Sequence, residues 1–134
     1  MSAATCGGNG GLVADGLRRK APRLVLGLSG SPLAKAVEAH FDALGWEVCR
    51  EEAGANAGLV AHRKRATAVV LAADARPESG LLSCVKLTAQ RPACRVVLVG
   101  PDSPRMARFA KQAGAAGYLP DGASAAAVVR AVAG

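Results

Sequence analysis

The stretch RLVLGLSGSPLAKAV, residues 23–37, decides the fold, because it joins a continuous apolar run to a helix through a short turn. The run RLVLGL lacks polar alternation, which is typical of a strand buried on both faces of a parallel sheet. Ser31 followed by Pro32 predicts a helix N-cap and the first helical position. Proteins with parallel sheets usually place their functional groups at such a junction of strand and helix.

The same alternation of apolar run and helix recurs four more times along the chain. Ser103 and Pro104 repeat the helix start of the first junction, and Gly45 and Gly114 are placed to end those two helices. The order predicts an α/β fold of three layers, α/β/α, with a five-stranded parallel sheet of the flavodoxin-like order 2-1-3-4-5. We predict strands at residues 23–28, 46–50, 67–73, 94–100 and 116–120, and helices at residues 31–45, 54–65, 79–90, 103–114 and 124–133.

Length and composition indicate one globular domain with a leader. The chain has 134 residues, 51% of them hydrophobic, which is enough for a single core. Residues 1–22 are rich in Gly, Ala and Ser, so we predict a flexible leader there and the folded domain at residues 23–134. No apolar run reaches the roughly 18 residues of a membrane span, and no signal peptide is evident, so the predicted location is cytoplasmic.

Charge and cysteine spacing narrow the range of partners. The formal net charge is +7, and the 14 basic and 9 acidic residues from Arg23 onward leave an excess that favours an acidic partner. Stacking aromatics are not interleaved with the basic residues, so we predict no direct nucleic-acid binding by this domain. The four cysteines form no C-x-x-C pair and have no histidine close in sequence, so no metal site is predicted.

Four segments together resemble the receiver domain of response regulators, the CheY-like family. The segment RLVLGLSGSPLAKAV resembles that family's first strand and helix start. The segment AVVLAADARP resembles its third strand and acceptor loop, and CRVVLVGPDSP resembles its fourth strand. The fifth strand and last helix resemble KQAGAAGYLPDGASAAAVVRAVAG, the most specific of the four segments. The resemblance covers about 112 of the 134 residues. It implies a module of two-component signalling or transcription regulation, commonly joined to a DNA-binding output domain.

The resemblance also implies a pocket from which this chain departs at every position. In the family, two acids after the first strand and an aspartate after the third strand hold Mg²⁺, and that aspartate accepts a phosphoryl group. A threonine or serine after the fourth strand and a lysine after the fifth then bind the new charge. In this chain the five positions read Ser29, Gly30, Ala73, Gly100 and Asp121. The loss of all five groups implies a degenerate, or pseudo-, receiver without cofactor, which acts through a small ligand, dimerisation or a protein partner rather than through phosphorylation.

Two residues near this pocket leave alternatives open. Asp74 lies one residue past the acceptor position when the segment is aligned on Pro77. A step of one residue turns a strand side chain to the opposite face, whereas a bulge would bring Asp74 into the pocket, so the sequence does not decide whether it can be phosphorylated. Tyr118 falls on the family's switch aromatic, where it either switches or simply packs against the last strand.

A basic series on the fourth helix is a candidate interface. Arg105, Arg108 and Lys111 recur every three residues and are predicted to share a face. The resemblance implies that the fourth helix, fifth strand and fifth helix form the dimer and output surface. A homodimer is therefore predicted, in which these cations pair with Asp102 or Asp121 of a second copy, while a solvated face is the alternative.

The first turn supports an alternative function. Ser29, Gly30 and Ser31 precede a helix N-terminus, whose free N–H groups and dipole favour an anion. The segment LGLSGSP also resembles the phosphate-binding turn of flavodoxin-like NADPH-dependent FMN reductases, which implies an FMN- or nucleotide-binding protein. The loop after the third strand offers no aromatic residue to stack on a flavin, which disfavours this alternative. No nucleophile with a general base can be assembled, so no enzyme is predicted.

Overall fold

The computed structural model describes residues 21–28, 32–51, 54–74 and 79–133. Strands and helices alternate throughout, and the predicted elements are confirmed with ends that shift by at most two residues. The structure does not describe residues 1–20 of the predicted leader or the turn at residues 29–31. The elements are β1 (Arg23–Gly27), α1 (Pro32–Ala43), β2 (Glu47–Arg50), α2 (Gly54–Lys64), β3 (Ala68–Ala72), α3 (Gly80–Gln90), β4 (Arg95–Gly100), α4 (Pro104–Gln112), β5 (Gly117–Pro120) and α5 (Ala125–Ala133).

The five strands form one parallel sheet in the order β2-β1-β3-β4-β5, which confirms the predicted flavodoxin-like topology. The register aligns the carboxyl ends of the last three strands, since Ala72 pairs with Val99 and Gly100 pairs with Pro120. The residues that follow β3, β4 and β5 therefore meet at one rim of the sheet, where ligands bind in folds of this kind.

Helices cover both faces of the sheet, as the predicted three layers require. One buried cluster joins strand residues such as Leu26 and Val97 to α1 and α5, where Phe41 is fully buried and meets Trp46 edge-on at 4.9 Å between ring centroids. The other cluster joins residues such as Val69 to α2, α3 and α4. None of the described helices is long and apolar enough to cross a membrane.

The helix ends follow the predicted signals where the structure describes them. The hydroxyl of Ser103 accepts the N–H of Met106 at 3.2 Å and caps α4, with Pro104 at the first turn. Gly45 and Gly114 adopt φ angles of +86° and +97°, the left-handed conformation that ends a helix. Ser103 thus begins α4 at the rim, whereas Gly45 and Gly114 end their helices at the opposite edge of the sheet.

Candidate functional site

Backbone hydrogen bonds to β4 and α3 hold Ala73 at the rim, directly after β3. This residue is 1% exposed, its N–H donates to the Val99 carbonyl at 2.8 Å, and its carbonyl accepts the N–H of Gly80 at 3.0 Å. A Cβ placed on Gly100 would lie 3.0 Å from the Cβ of Ala73. Two of the five predicted pocket positions are therefore in contact, and each brings carbon or hydrogen where a receiver would carry oxygen.

Tyr118 covers the same point from β5. The site of a Cβ on Gly100 lies only 2.8 Å from the Tyr118 hydroxyl oxygen, so this hydroxyl occupies space that any larger residue at position 100 would need. The hydroxyl donates a hydrogen bond to the carbonyl of Pro101 at 2.5 Å. The missing side chain at position 100 thus allows the tyrosine to lie over the end of β4, half-buried.

Negative charge surrounds the Tyr118 hydroxyl. Burial raises the pKa of Tyr118, and the carboxylates of Asp121, Asp74 and Asp102 raise this pKa further. All three aspartates are exposed, and they follow β5, β3 and β4 respectively. The loops thus gather acids at this rim, and Asp121 adds one where the receiver resemblance implies a lysine.

Tyr118 is the only tyrosine in the sequence, so the ultraviolet absorbance of tyrosinate reads its titration alone. We expect the folded protein to ionise above the ordinary pKa of about 10, and Asp121→Asn to lower the midpoint. The native state holds the proton longer than the unfolded chain does. Its contribution to stability is therefore complete below the unfolded pKa and is lost as pH rises through the folded pKa. A folded midpoint at or below the ordinary value would contradict this environment.

The structure bears on a metal site among the described residues, but not on the predicted anion-binding turn. Among the described residues, no three Asp, Glu, His or Cys side chains come close enough to hold a metal ion. Ser29, Gly30 and Ser31 lie outside the described residues. The anion-binding turn, and the FMN or nucleotide function that depends on it, therefore stay predictions.

The three cations of α4 are all exposed. The guanidinium of Arg105 lies 5.6 Å from the ring centroid of Phe109. Lys111, on another side of α4, lines a cleft of about 300 Å³ that also borders Tyr118. Arg108 is exposed on the same helix. The structure therefore places Lys111, rather than Arg105, beside β5.

Sequence reasoning missed a second feature, in which Leu82, Val85 and Phe109 are exposed apolar side chains. Phe109 and Ala110 are adjacent apolar residues of α4, of which Ala110 is buried and Phe109 is exposed. The sequence does contain a sign of these exposed side chains, because the α3 segment GLLSCVKL carries more apolar residues than one buried stripe needs. These residues line a groove between α3 and α4 that does not include Tyr118, Ala73 or Gly100.

Solved receiver domains share this fold. The receiver domain of the response regulator NarL from Mycobacterium tuberculosis aligns with a TM-score of 0.73 and 22% identity, covering 85% of this chain and 94% of that one. The receiver domain of a Luxo repressor protein from Vibrio parahaemolyticus gives a TM-score of 0.73 and 20% identity over 84% and 88% of the two chains. The BeF3-activated receiver domain of Klebsiella pneumoniae RstA gives 0.70 and 20% over 81% and 92%.

A scan against protein-family models finds no match for the sequence, and neither does a search of curated proteins. The three-dimensional likeness nevertheless shows the fold, because all three alignments give TM-scores of 0.70 or more over at least 81% of this chain. The chain has the CheY-like receiver fold. At the rim, however, Ala73, Gly100 and Asp121 differ from the residues that the receiver resemblance implies.

Proposed function

We propose that this chain is a degenerate receiver domain of a signalling or transcriptional regulator that acts without aspartyl phosphorylation. One observation carries the proposal, namely that the Tyr118 hydroxyl lies over Gly100 and next to the buried Ala73. The methyl group of Ala73 cannot accept a phosphoryl group. Gly100 has no hydroxyl with which to bind one. The domain is proposed to be neither an enzyme nor a direct nucleic-acid binder.

The charges at the rim support this proposal. A phosphoryl group carries a charge of about −1.5 to −2 near neutral pH, and receivers balance it with a metal ion and a lysine. Here the lysine position holds Asp121, and Asp74 and Asp102 are close enough to act on Tyr118 as well. A phosphoryl group on Asp74 would therefore face like charges, with neither a lysine at position 121 nor a hydroxyl at position 100 to bind it.

Output is proposed to run through α4, β5 and α5, by dimerisation or by contact with an output domain or partner protein. β5 is an edge strand, so among the described residues it pairs with β4 alone, and its four residues are all half-buried. Lys111 is exposed beside it, and Asp121 is exposed at its end. Two copies related by a two-fold axis could pair these opposite charges reciprocally. A small ligand at the rim and a cytoplasmic location remain sequence predictions.

Sedimentation velocity over a range of protein concentrations tests this function. We expect a concentration-dependent dimer whose dissociation constant is the same with and without Mg²⁺ and beryllofluoride. Lys111→Glu should weaken the dimer, whereas Lys35→Glu makes the same charge change on an exposed site of α1 and should leave it unchanged. A dimer that forms only with beryllofluoride would show that the proposal is wrong, whereas a monomer at all concentrations would exclude dimerisation and leave contact with an output domain or partner protein as the output.

A further inference from the structure

α3 and α4 leave an apolar groove between them on the side of the sheet opposite α1 and α5. The groove has a volume of about 410 Å³. Leu82, Val85 and Phe109 are 47%, 48% and 43% exposed, which is unusual for three large apolar side chains in one place. Its other lining residues include Leu81, Gln112 and Ala113.

The groove persists because the core uses a different face of α3. The buried residues of α3 include Cys84 and Leu87. The Ala113 carbonyl accepts hydrogen bonds from the Thr88 hydroxyl at 3.3 Å and from the Cys84 thiol at 3.5 Å, which holds the end of α4 against α3. Leu82 and Val85 therefore contribute little to the core and remain available to a partner.

The charge of the two helices restricts that partner. α3 and α4 together carry four cations, Lys86, Arg105, Arg108 and Lys111, and contain neither aspartate nor glutamate. The Arg105 guanidinium lies over the Phe109 ring at 5.6 Å, so positive charge borders the apolar surface directly. An occupant that combines apolar and acidic side chains would match both properties.

We propose that this groove binds an acidic amphipathic helix of a partner protein. Such a helix would place apolar residues spaced by three and four against Leu82, Val85 and Phe109, and its carboxylates would face Arg105, which lies over the Phe109 ring. A second copy presenting the same face would bring like charges together and would supply no carboxylate from α3 or α4. Residues 1–20 of this chain, with three basic residues and one acidic residue, are also of the wrong charge. The proposal does not depend on the function proposed above.

Fluorescence polarisation with a labelled synthetic helical peptide tests this groove. The probe carries leucines at spacings of three and four with glutamates elsewhere, and a matched probe replaces every glutamate with lysine. We expect saturable binding of the acidic probe only, weakened about tenfold by Leu82→Gln and by Arg105→Glu. Leu44→Gln and Lys35→Glu make the same changes at exposed sites at the end of α1 and within it, and should have no effect.

Several results would overturn the assignment. One is the absence of saturable binding to the acidic probe, and another is equal binding of the lysine probe. A third is equal weakening by the two control substitutions. A fourth is Leu82-dependent binding to vesicles of phosphatidylglycerol without binding to the acidic probe, which would assign the groove to a membrane surface. Because the dimer is measured separately by sedimentation, either proposal can fail while the other stands.

Discussion

Gly80→Ala should destabilise the domain by about 3 kcal/mol, because α3 begins against the end of β3. A Cβ at Gly80 would lie 2.1 Å from the carbonyl oxygen of Ala72 and 3.0 Å from the Cα of Ala73. These are backbone atoms and cannot rotate away, so the first turn of α3 has to move. That movement would also disturb the hydrogen bond from the Gly80 N–H to Ala73. The gain in helix propensity, about 1 kcal/mol at most, does not offset this clash.

Urea unfolding measures the loss, and Gly58→Ala is its matched control. Gly58 is also a helical glycine, but a Cβ there would meet only the Cβ of Ser83 at 3.7 Å, an ordinary contact. We expect Gly58→Ala to be neutral or to stabilise the domain by about 1 kcal/mol. If Gly80→Ala were as stable as the wild type while Gly58→Ala behaved as expected, the close packing of α3 on β3 would be wrong.

Gly100→Ala should cost about 1–3 kcal/mol, and this cost should depend on the Tyr118 hydroxyl. The added Cβ would lie 2.8 Å from the hydroxyl oxygen and 3.0 Å from the Cβ of Ala73. Tyr118→Phe alone should cost about 1 kcal/mol, because it removes the hydrogen bond to Pro101. In the Tyr118→Phe background the hydroxyl oxygen is absent, and the nearest ring carbon lies 3.5 Å from the added Cβ. Gly100→Ala should therefore cost less there.

A double-mutant cycle measured by urea unfolding isolates this coupling, which we expect to be about 1 kcal/mol. Gly117→Ala is the control on β5, because a Cβ there would lie 3.5 Å from the Cβ of Ala131, which belongs to the cluster on the side of the sheet opposite to Tyr118. Its effect should add to that of Tyr118→Phe. Additive effects for Gly100→Ala and Tyr118→Phe would mean that the hydroxyl does not occupy the space beside Gly100.

The fold could be predicted because each local signal agrees with the others. Continuous apolar runs indicate buried parallel strands, and Ser103 with Gly114 marks the limits of α4 to within two residues. Once five strand and helix pairs are recognised, right-handed crossovers leave few possible sheet orders. The positions of the rim residues could also be predicted, because Ala73 and Gly100 end predicted strands and Asp121 directly follows one.

What the sequence could not predict depends on packing between elements distant along the chain. The position of Tyr118 over Gly100 follows from the register of β5 on β4, in which Tyr118 pairs with Leu98, and from the rotamer of the tyrosine. The groove depends on which of two apolar faces α3 turns towards the core. Periodicity gives both faces, and the packing of α3 on α2, β4 and Ala113 selects one, which leaves Leu82 and Val85 outside.

Intact-mass spectrometry after incubation with acetyl phosphate and Mg²⁺ tests the proposed function most directly. The exposed Asp74 is the acid that follows β3, so Asp74→Asn serves as the control. We expect the wild-type mass to stay unchanged, as that of Asp74→Asn does. A gain of one phosphoryl group in the wild type that is absent from Asp74→Asn would contradict the account, because it would show that this rim still accepts phosphate.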